Sequence, residues 1–319
     1  RDIIINKLRA DSNLPCFKEF NQGSYAMNTG IEPLVKDYDI DVGLRFNVNK
    51  ADYDPLELKQ EVYNILKDHT DYGAEIKKPC VTVKYKKNGE EEAYHVDLVI
   101  YAYEDKNNTD SQLYHALGTN KDNKGWEISD PIKLKDDIMD KWEDKEQRNQ
   151  YRRIIRYMKR WKDIKFKTSG KAKPPGIGIT LLAYDKFQPQ KYDFVECKYI
   201  FEDLEALVLF VQETKAMFLL TRYSVEREEF LYRIEYYLPE NPKTNVFFKM
   251  NDIQMTEFKN KIEKLSDDLQ KVKNEGDIIE QCTMLNKIFG DDFTVPPKQD
   301  ESRAQSNFLP PSTASGKGL

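Results

Sequence analysis

Charged or small residues alternate with apolar ones over Asp39 to Phe46, DIDVGLRF, as they do in a half-buried strand. Upstream, Phe17 to Gln22 alternates more weakly and is read as a strand ending at Gly23-Ser24, with a loop of small and polar residues (Asn28, Thr29, Gly30, Pro33) to follow. Leu56, Leu58, Val62, Ile65 and Leu66 fall at helical spacing between Pro55 and His69. Two more strands are predicted at Cys80 to Tyr85 (CVTVKY) and Tyr94 to Tyr103 (YHVDLVIYAY), and Asn88-Gly89 between them is a hairpin-turn signal. The order strand, strand, helix, strand, hairpin, strand predicts a mixed sheet backed by helices, an α+β lobe.

The pattern changes after Asp130-Pro131. Residues 133 to 167 form a long charged stretch in which Ile138, Met139, Trp142, Ile154, Ile155, Met158 and Trp161 recur at helical intervals, which predicts core positions for both tryptophans. After a turn region, KTSGKAKPPG, the segments Ile177 to Phe187 and Leu204 to Glu213 read as helices, and residues 255 to 289 as one or two amphipathic helices. From Val295 the chain is rich in Pro, Ser and Gly and is expected to be disordered, a flexible linker or a terminus for attachment to another protein. The expected organisation is a core over 1–132, a helical lobe over 133–295 and a tail over 296–319.

Composition narrows the class. The chain has 319 residues, 39% of them hydrophobic and 33% charged, a well-solvated balance. No apolar run approaches the roughly 20 residues needed to span a bilayer, and RDIIINKLRADSN has no secretory-signal pattern. Cys16, Cys80, Cys197 and Cys282 stand singly, without the close pairs of a zinc or dithiol site, and are expected to be reduced, mostly buried thiols of a cytoplasmic protein. A net charge of -5 argues against gripping long nucleic acid, which needs Lys and Arg over many phosphates, but suits small metal-chelated nucleotides.

The candidate chemistry lies in the strands. Side chains at i and i+2 project to one face, so Asp39 and Asp41 stand side by side. Paired acids repel and are costly to bury without a cation, which points to a hard divalent ion, Mg2+ or Mn2+. Asp97, between apolar neighbours in HVDLVIY, can complete the set from a neighbouring strand. Three carboxylates plus triphosphate oxygens suffice for two ions about 3.5 to 4 Å apart, the arrangement that activates an attacking hydroxyl and stabilises leaving pyrophosphate. Gly23 lets backbone N–H groups approach phosphate, and Ser24 adds a hydroxyl donor. A Gly-Ser pair or an isolated DxD is common and usually surface, so the argument rests on their order. Tyr25, next in line, is a candidate for stacking on a base or for plain packing. His95 shares the face of Asp97 and is read as a structural histidine before a proton shuttle. His69 and His115 receive no role. Of the basic cluster Arg152, Arg153, Arg156, Lys159, Arg160 and Lys162, only one or two residues can face the site.

These segments resemble a known family. QGSYAMNTGIEP, DYDIDVGLRF and HVDLVIY are similar to the nucleotidyltransferase superfamily of DNA polymerase β type, and within it to the bacterial relatives of cyclic GMP-AMP synthase, the CD-NTases of CBASS anti-phage signalling. RYMKRWK at 156 to 162 resembles the basic spine helix, PENPKTNV the nucleotide-side loop, and KIFGDDF the end of the C-terminal helix. The resemblance implies a polymerase β-like core plus a helical lobe with the active site in the cleft between them. It also implies template-free condensation of nucleoside triphosphates into a cyclic di- or trinucleotide. Lys159 would then reach phosphate and Gln22 the donor nucleotide. CBASS regulatory or conjugation proteins are the implied partners, and a monomer is expected. Gly176 stands where many relatives place serine, and Leu238 precedes Pro239 where an acid is common. The rival readings are a linear transferase acting on RNA or protein, and an inactive nucleotide sensor on the same scaffold.

Overall fold

The computed structural model describes residues 1–34, 37–86, 93–166, 172–193, 199–291 and 293–297. Asn88-Gly89, Cys197 and the tail from 298 therefore lie outside the described residues. In chain order the first half comprises α1 (Asp2–Arg9), β1 (Phe17–Asn21), the short α2 (Gly23–Ala26), β2 (Asp37–Asn49), α3 (Pro55–Leu66), β3 (Ala74–Ile76), β4 (Val81–Lys86), β5 (Ala93–Tyr103), β6 (Leu113–Leu117) and β7 (Gly125–Ile128). These strands form one sheet of order β1-β2-β5-β4-β3, with β6 bridging β5 to β7. Only β2 and β5 run parallel among the registered pairs of this sheet.

Alternation sorts the two faces of this sheet. Val42, Leu44, Phe46, Val81, Val83, Val96, Leu98 and Ile100 are buried on one face in a single cluster with Ile4, Ile5 and Leu8 of α1 and Leu58, Val62 and Leu66 of α3. The opposite face carries Asp39, Asp41 and Asp97, and beyond them a smaller cluster of Cys80, Val99, Tyr101, Tyr103 and Leu113. α3 starts where Asp54 accepts from the N–H groups of Leu56 and Glu57, with Pro55 at the first helical position. Buried Lys59 extends from α3 to donate to the carbonyls of Lys77, Lys78 and Gly118 at 2.6, 2.9 and 2.7 Å.

The second half comprises α4 (Pro131–Met139), α5 (Lys145–Lys165), α6 (Gly176–Lys186), β8 (Lys191–Asp193), β9 (Tyr199–Phe201), α7 (Asp203–Ala216), the hairpin β10 (Leu219–Ser224) and β11 (Glu229–Arg233), α8 (Asp252–Asn274) and α9 (Ile278–Phe289). The charged stretch with helical spacing over 133 to 167 holds two helices, because the Asp144 side chain accepts from the Gln147 N–H and starts α5 afresh. Residues 255 to 289 likewise divide, α8 opening with the Asn251–Gln254 capping box and α9 with Asp277. Ile154, Ile155, Met158 and Trp161 of α5 pack with Leu181, Leu207, Phe210, Phe258 and Ile262 in the largest apolar cluster, which Met27 joins from the loop after α2. Trp142 is only partly buried against that cluster. Among the described cysteines Cys80 is buried, Cys16 exposed and Cys282 intermediate, which corrects the expectation of mostly buried thiols. Among the described residues no helix is long and apolar enough to cross a membrane.

Candidate active site

The pairing register builds the site in two rows across the sheet. Asp39 of β2 lies opposite His95 of β5, which lies opposite Lys84 of β4; one step along, Asp41 lies opposite Asp97, which lies opposite Thr82. All six stand on the same face, because side chains two apart on a strand point the same way. The register thus brings the carboxylates expected from the sequence together. His95 Nε2 is 2.6 Å from Asp39 Oδ1 and 4.0 Å from Asp97 Oδ1. Thr82 Oγ1 donates to Asp97 Oδ1 at 2.5 Å.

Asp41 is the electrostatic centre. Burial, then the charges of Asp97 and Asp39, push its carboxyl up to about 6 against an ordinary 3.8, and His95 partly opposes them. A carboxyl held up by burial and by two neighbouring carboxylates is one whose ionised form a cation would stabilise. Among the described residues no three His, Cys, Asp or Glu side chains already converge as a metal cluster. Three carboxylates on one face, all oxygen donors and one of them electrostatically frustrated, fit a hard divalent ion.

The turn before β2 closes over these acids. Gly23 has φ +67°, and a Cβ added there would lie 1.9 Å from Asp41 Oδ2, so only glycine allows the chain to pass. Gln22 donates its backbone N–H to the Asp41 carbonyl at 3.2 Å, and its side-chain oxygen accepts from the buried Tyr101 hydroxyl at 3.0 Å. Ser24, Asp39 and Lys159 each line two adjoining cavities, of about 450 and 540 Å³; Gln22, Gly23 and Asp41 line the first, and Tyr25 and Lys162 the second. Tyr25 is 61% exposed, which leaves its ring open to the second cavity.

Lys159 does not extend freely into this space. Only 6% exposed, it donates to the carbonyl and the hydroxyl of Thr29 at 2.9 and 3.1 Å, and burial followed by the nearby Lys162 charge lowers its ammonium to about 8. Arg156 donates to the Asn28 carbonyl at 2.9 Å, whereas Arg153 is held by Asp203 and Arg152 by the Met139 sulfur. The basic helix therefore straps down the loop that follows Ser24. Gly176 lies beside Lys159 with room for a Cβ 3.8 Å from its Cε, so glycine there is not sterically required. His69 meets the Tyr85 hydroxyl and His115 the Pro79 carbonyl, away from the acids. Thr82, Tyr101, Thr29 and Arg156 take part in the site's architecture without having been singled out in that role; they become legible only once strand register and helix packing are known.

Comparison with known proteins bears on these residues directly. Residues 17–101, which span β1 to β5 and all three acids, match the model of the nucleotidyltransferase domain of DncV-like cyclic GMP-AMP synthases. This segment is similar to the nucleotidyltransferase domains of that family. A cyclic GMP-AMP synthase of Escherichia albertii is 31% identical over 170 residues, half of this chain and 35% of that protein, so the match spans about a third of the curated relative. The fold extends further than the sequence match. Vibrio cholerae DncV in its GTP-bound form superposes with a TM-score of 0.64 at 18% identity over 87% of this chain and 69% of that one, and Escherichia coli DncV bound to 3′-deoxy GTP with 0.61 at 18% over 87% and 70%. The chain thus has an α+β first half, matched over residues 17–101 by that domain model, and a helical second half, together in the fold of DncV.

Proposed function

We propose that the chain is a divalent-metal-dependent, template-independent nucleotidyltransferase that condenses nucleoside triphosphates and cyclises the product into a cyclic di- or trinucleotide second messenger of CBASS anti-phage defence. The observation that carries this reading is the register of Asp41 with Asp97, beside Asp39, directly beneath the Gly23-Ser24 turn. The domain match and the DncV fold supply the class of chemistry. The reaction takes place in the cytoplasm, which suits the free thiols of Cys16, Cys80 and Cys282, and the enzyme acts as a monomer with its core and helical lobe meeting near residue 132.

Asp39 and Asp41 would hold two Mg2+ or Mn2+ ions, with Asp97 completing the site on the side of the attacking 2′- or 3′-hydroxyl. Bound there, the ions supply charge neutralisation for the triphosphate and a more acidic attacking hydroxyl. The protein's own part is positional. The turn at Gly23 brings Ser24 against the phosphates, the strapped loop 28–29 keeps that turn from opening, and Lys159 lends positive charge to the cleft wall. Gln22 and Tyr25 would border the nucleotides. The two cavities sharing Ser24, Asp39 and Lys159 supply space for substrate on both sides of the acids.

Incubation with labelled ATP, GTP, CTP and UTP, Mg2+ or Mn2+, and phage-derived or nucleic-acid activators should yield a phosphatase-resistant product of cyclic-oligonucleotide mass. Asp39→Asn with Asp41→Asn should abolish it without lowering the melting temperature. Products that extend RNA or remain on protein would replace cyclisation by linear transfer, and full activity in the double variant would remove the acids from the mechanism.

A further inference from the structure

Asp97 differs from the other two acids in what holds it. Its Oδ1 accepts the Thr82 hydroxyl proton at 2.5 Å, from a side chain only 1% exposed. The Cys80 sulfur lies 3.5 Å from the same Thr82 oxygen. Cys80 Sγ, Thr82 Oγ1 and the Asp97 carboxylate thus lie in successive contact from the start of β4 into β5.

We propose that Thr82 is the positioning residue of the third carboxylate: by tying down Oδ1 from the neighbouring strand it fixes the rotamer of Asp97 and leaves the second oxygen to face Asp41 and the divalent ion. The inference rests on the nucleotidyl-transfer reading above. A hydroxyl suits the task better than an ammonium or guanidinium, because it donates one hydrogen bond without adding a positive charge that would compete with the ion. The strand pairing makes the placement rigid, since Thr82 and Asp97 are direct partners in the antiparallel β4–β5 ladder. His95 Nε2, 4.0 Å from the same Oδ1, is beyond hydrogen-bond reach of it and is engaged with Asp39. Groups that orient a ligand from behind typically change metal affinity or activity by about 10- to 100-fold when removed.

The test compares wild type with Thr82→Val, Thr82→Ala and Thr82→Ser. Mn2+ binding to the full chain is read by the EPR signal of the free ion, with and without a non-hydrolysable nucleoside triphosphate, and turnover is followed against Mg2+ concentration. Thr82→Val and Thr82→Ala should weaken Mn2+ binding and raise the Mg2+ needed for half-maximal turnover, each by about 10- to 100-fold. KM for nucleotide at saturating metal should not move, and Thr82→Ser should stay close to wild type. Wild-type metal binding in the hydroxyl-free variants, or an equal loss in Thr82→Ser, overturns the assignment while leaving the transferase reading intact. A wild-type protein that binds no Mn2+ even with nucleotide, and makes no product, overturns both.

Discussion

Gly23 shows how tightly a single residue is specified. At φ +67° a side chain is already strained, and a Cβ would meet Asp41 Oδ2 at 1.9 Å, well inside van der Waals contact. Gly23→Ala must therefore move either the turn or the carboxylate. The expected outcome is a loss of turnover of about 100-fold or more with a stability cost of about 1–3 kcal/mol, from steady-state kinetics and chemical denaturation of the same samples. Near wild-type turnover would mean that Asp41 need not stay where the turn holds it. Strict alternation places Asp39 and Asp41 on one face of β2, and the same rule applied to HVDLVIY places Asp97 between buried Val96 and Leu98, so these acids are legible from local pattern. Thr82 is not. CVTVKY says only that Cys80 and Thr82 share a face; which of them meets Asp97 depends on the register in which β4 pairs with β5.

At the level of elements, local chemistry predicts some boundaries and fails at others. The apolar spacing after Pro55 finds α3, whose Asp54 cap agrees with it, but the reading to His69 runs past the observed end at Leu66. The apolar residues from 133 to 167 keep helical intervals through the break; the Asp144 cap that restarts the helix is a single residue in a run of charges. The short strands β6 and β7 leave little periodicity to detect, since LYHAL and GWEI are five and four residues long. Lys59 shows what such an unread element requires. It stands on the apolar side of α3, and its ammonium satisfies carbonyls of Lys77 and Lys78, just before β4, and Gly118, just after β6. Lys59→Met preserves the buried stem but strands those acceptors, so unfolding by denaturant should show a loss of about 2–4 kcal/mol. An unchanged midpoint would mean that water replaces the ammonium.

For the whole molecule, the site is a junction. The sheet supplies the acids, while the helical half reaches the same loop through Lys159 on Thr29, Arg156 on Asn28 and the apolar contact of Met27. Binding of a cation at the acids should therefore be visible in global stability, with a definite pH dependence. Asp41 titrates near 6 in the folded chain against 3.8 for an ordinary carboxyl. Between those values the folded state binds a proton that the unfolded state has released, so this group's contribution to metal-free stability is largest below 3.8 and falls as pH rises through 6. A divalent ion binds the ionised form and reverses that trend, so the gain in melting temperature on adding Mn2+ should be small at pH 5 and larger at pH 7. Other carboxylates titrate in the same range, and Asp41→Asn separates them: it should raise metal-free stability at pH 7 by relieving the repulsion from Asp97 and Asp39, and it should remove most of the pH-dependent gain with Mn2+. Equal gains at both pH values in the wild type, or an undiminished gain in Asp41→Asn, would place the cation away from Asp41 and break the link between the buried charge of this site and its chemistry.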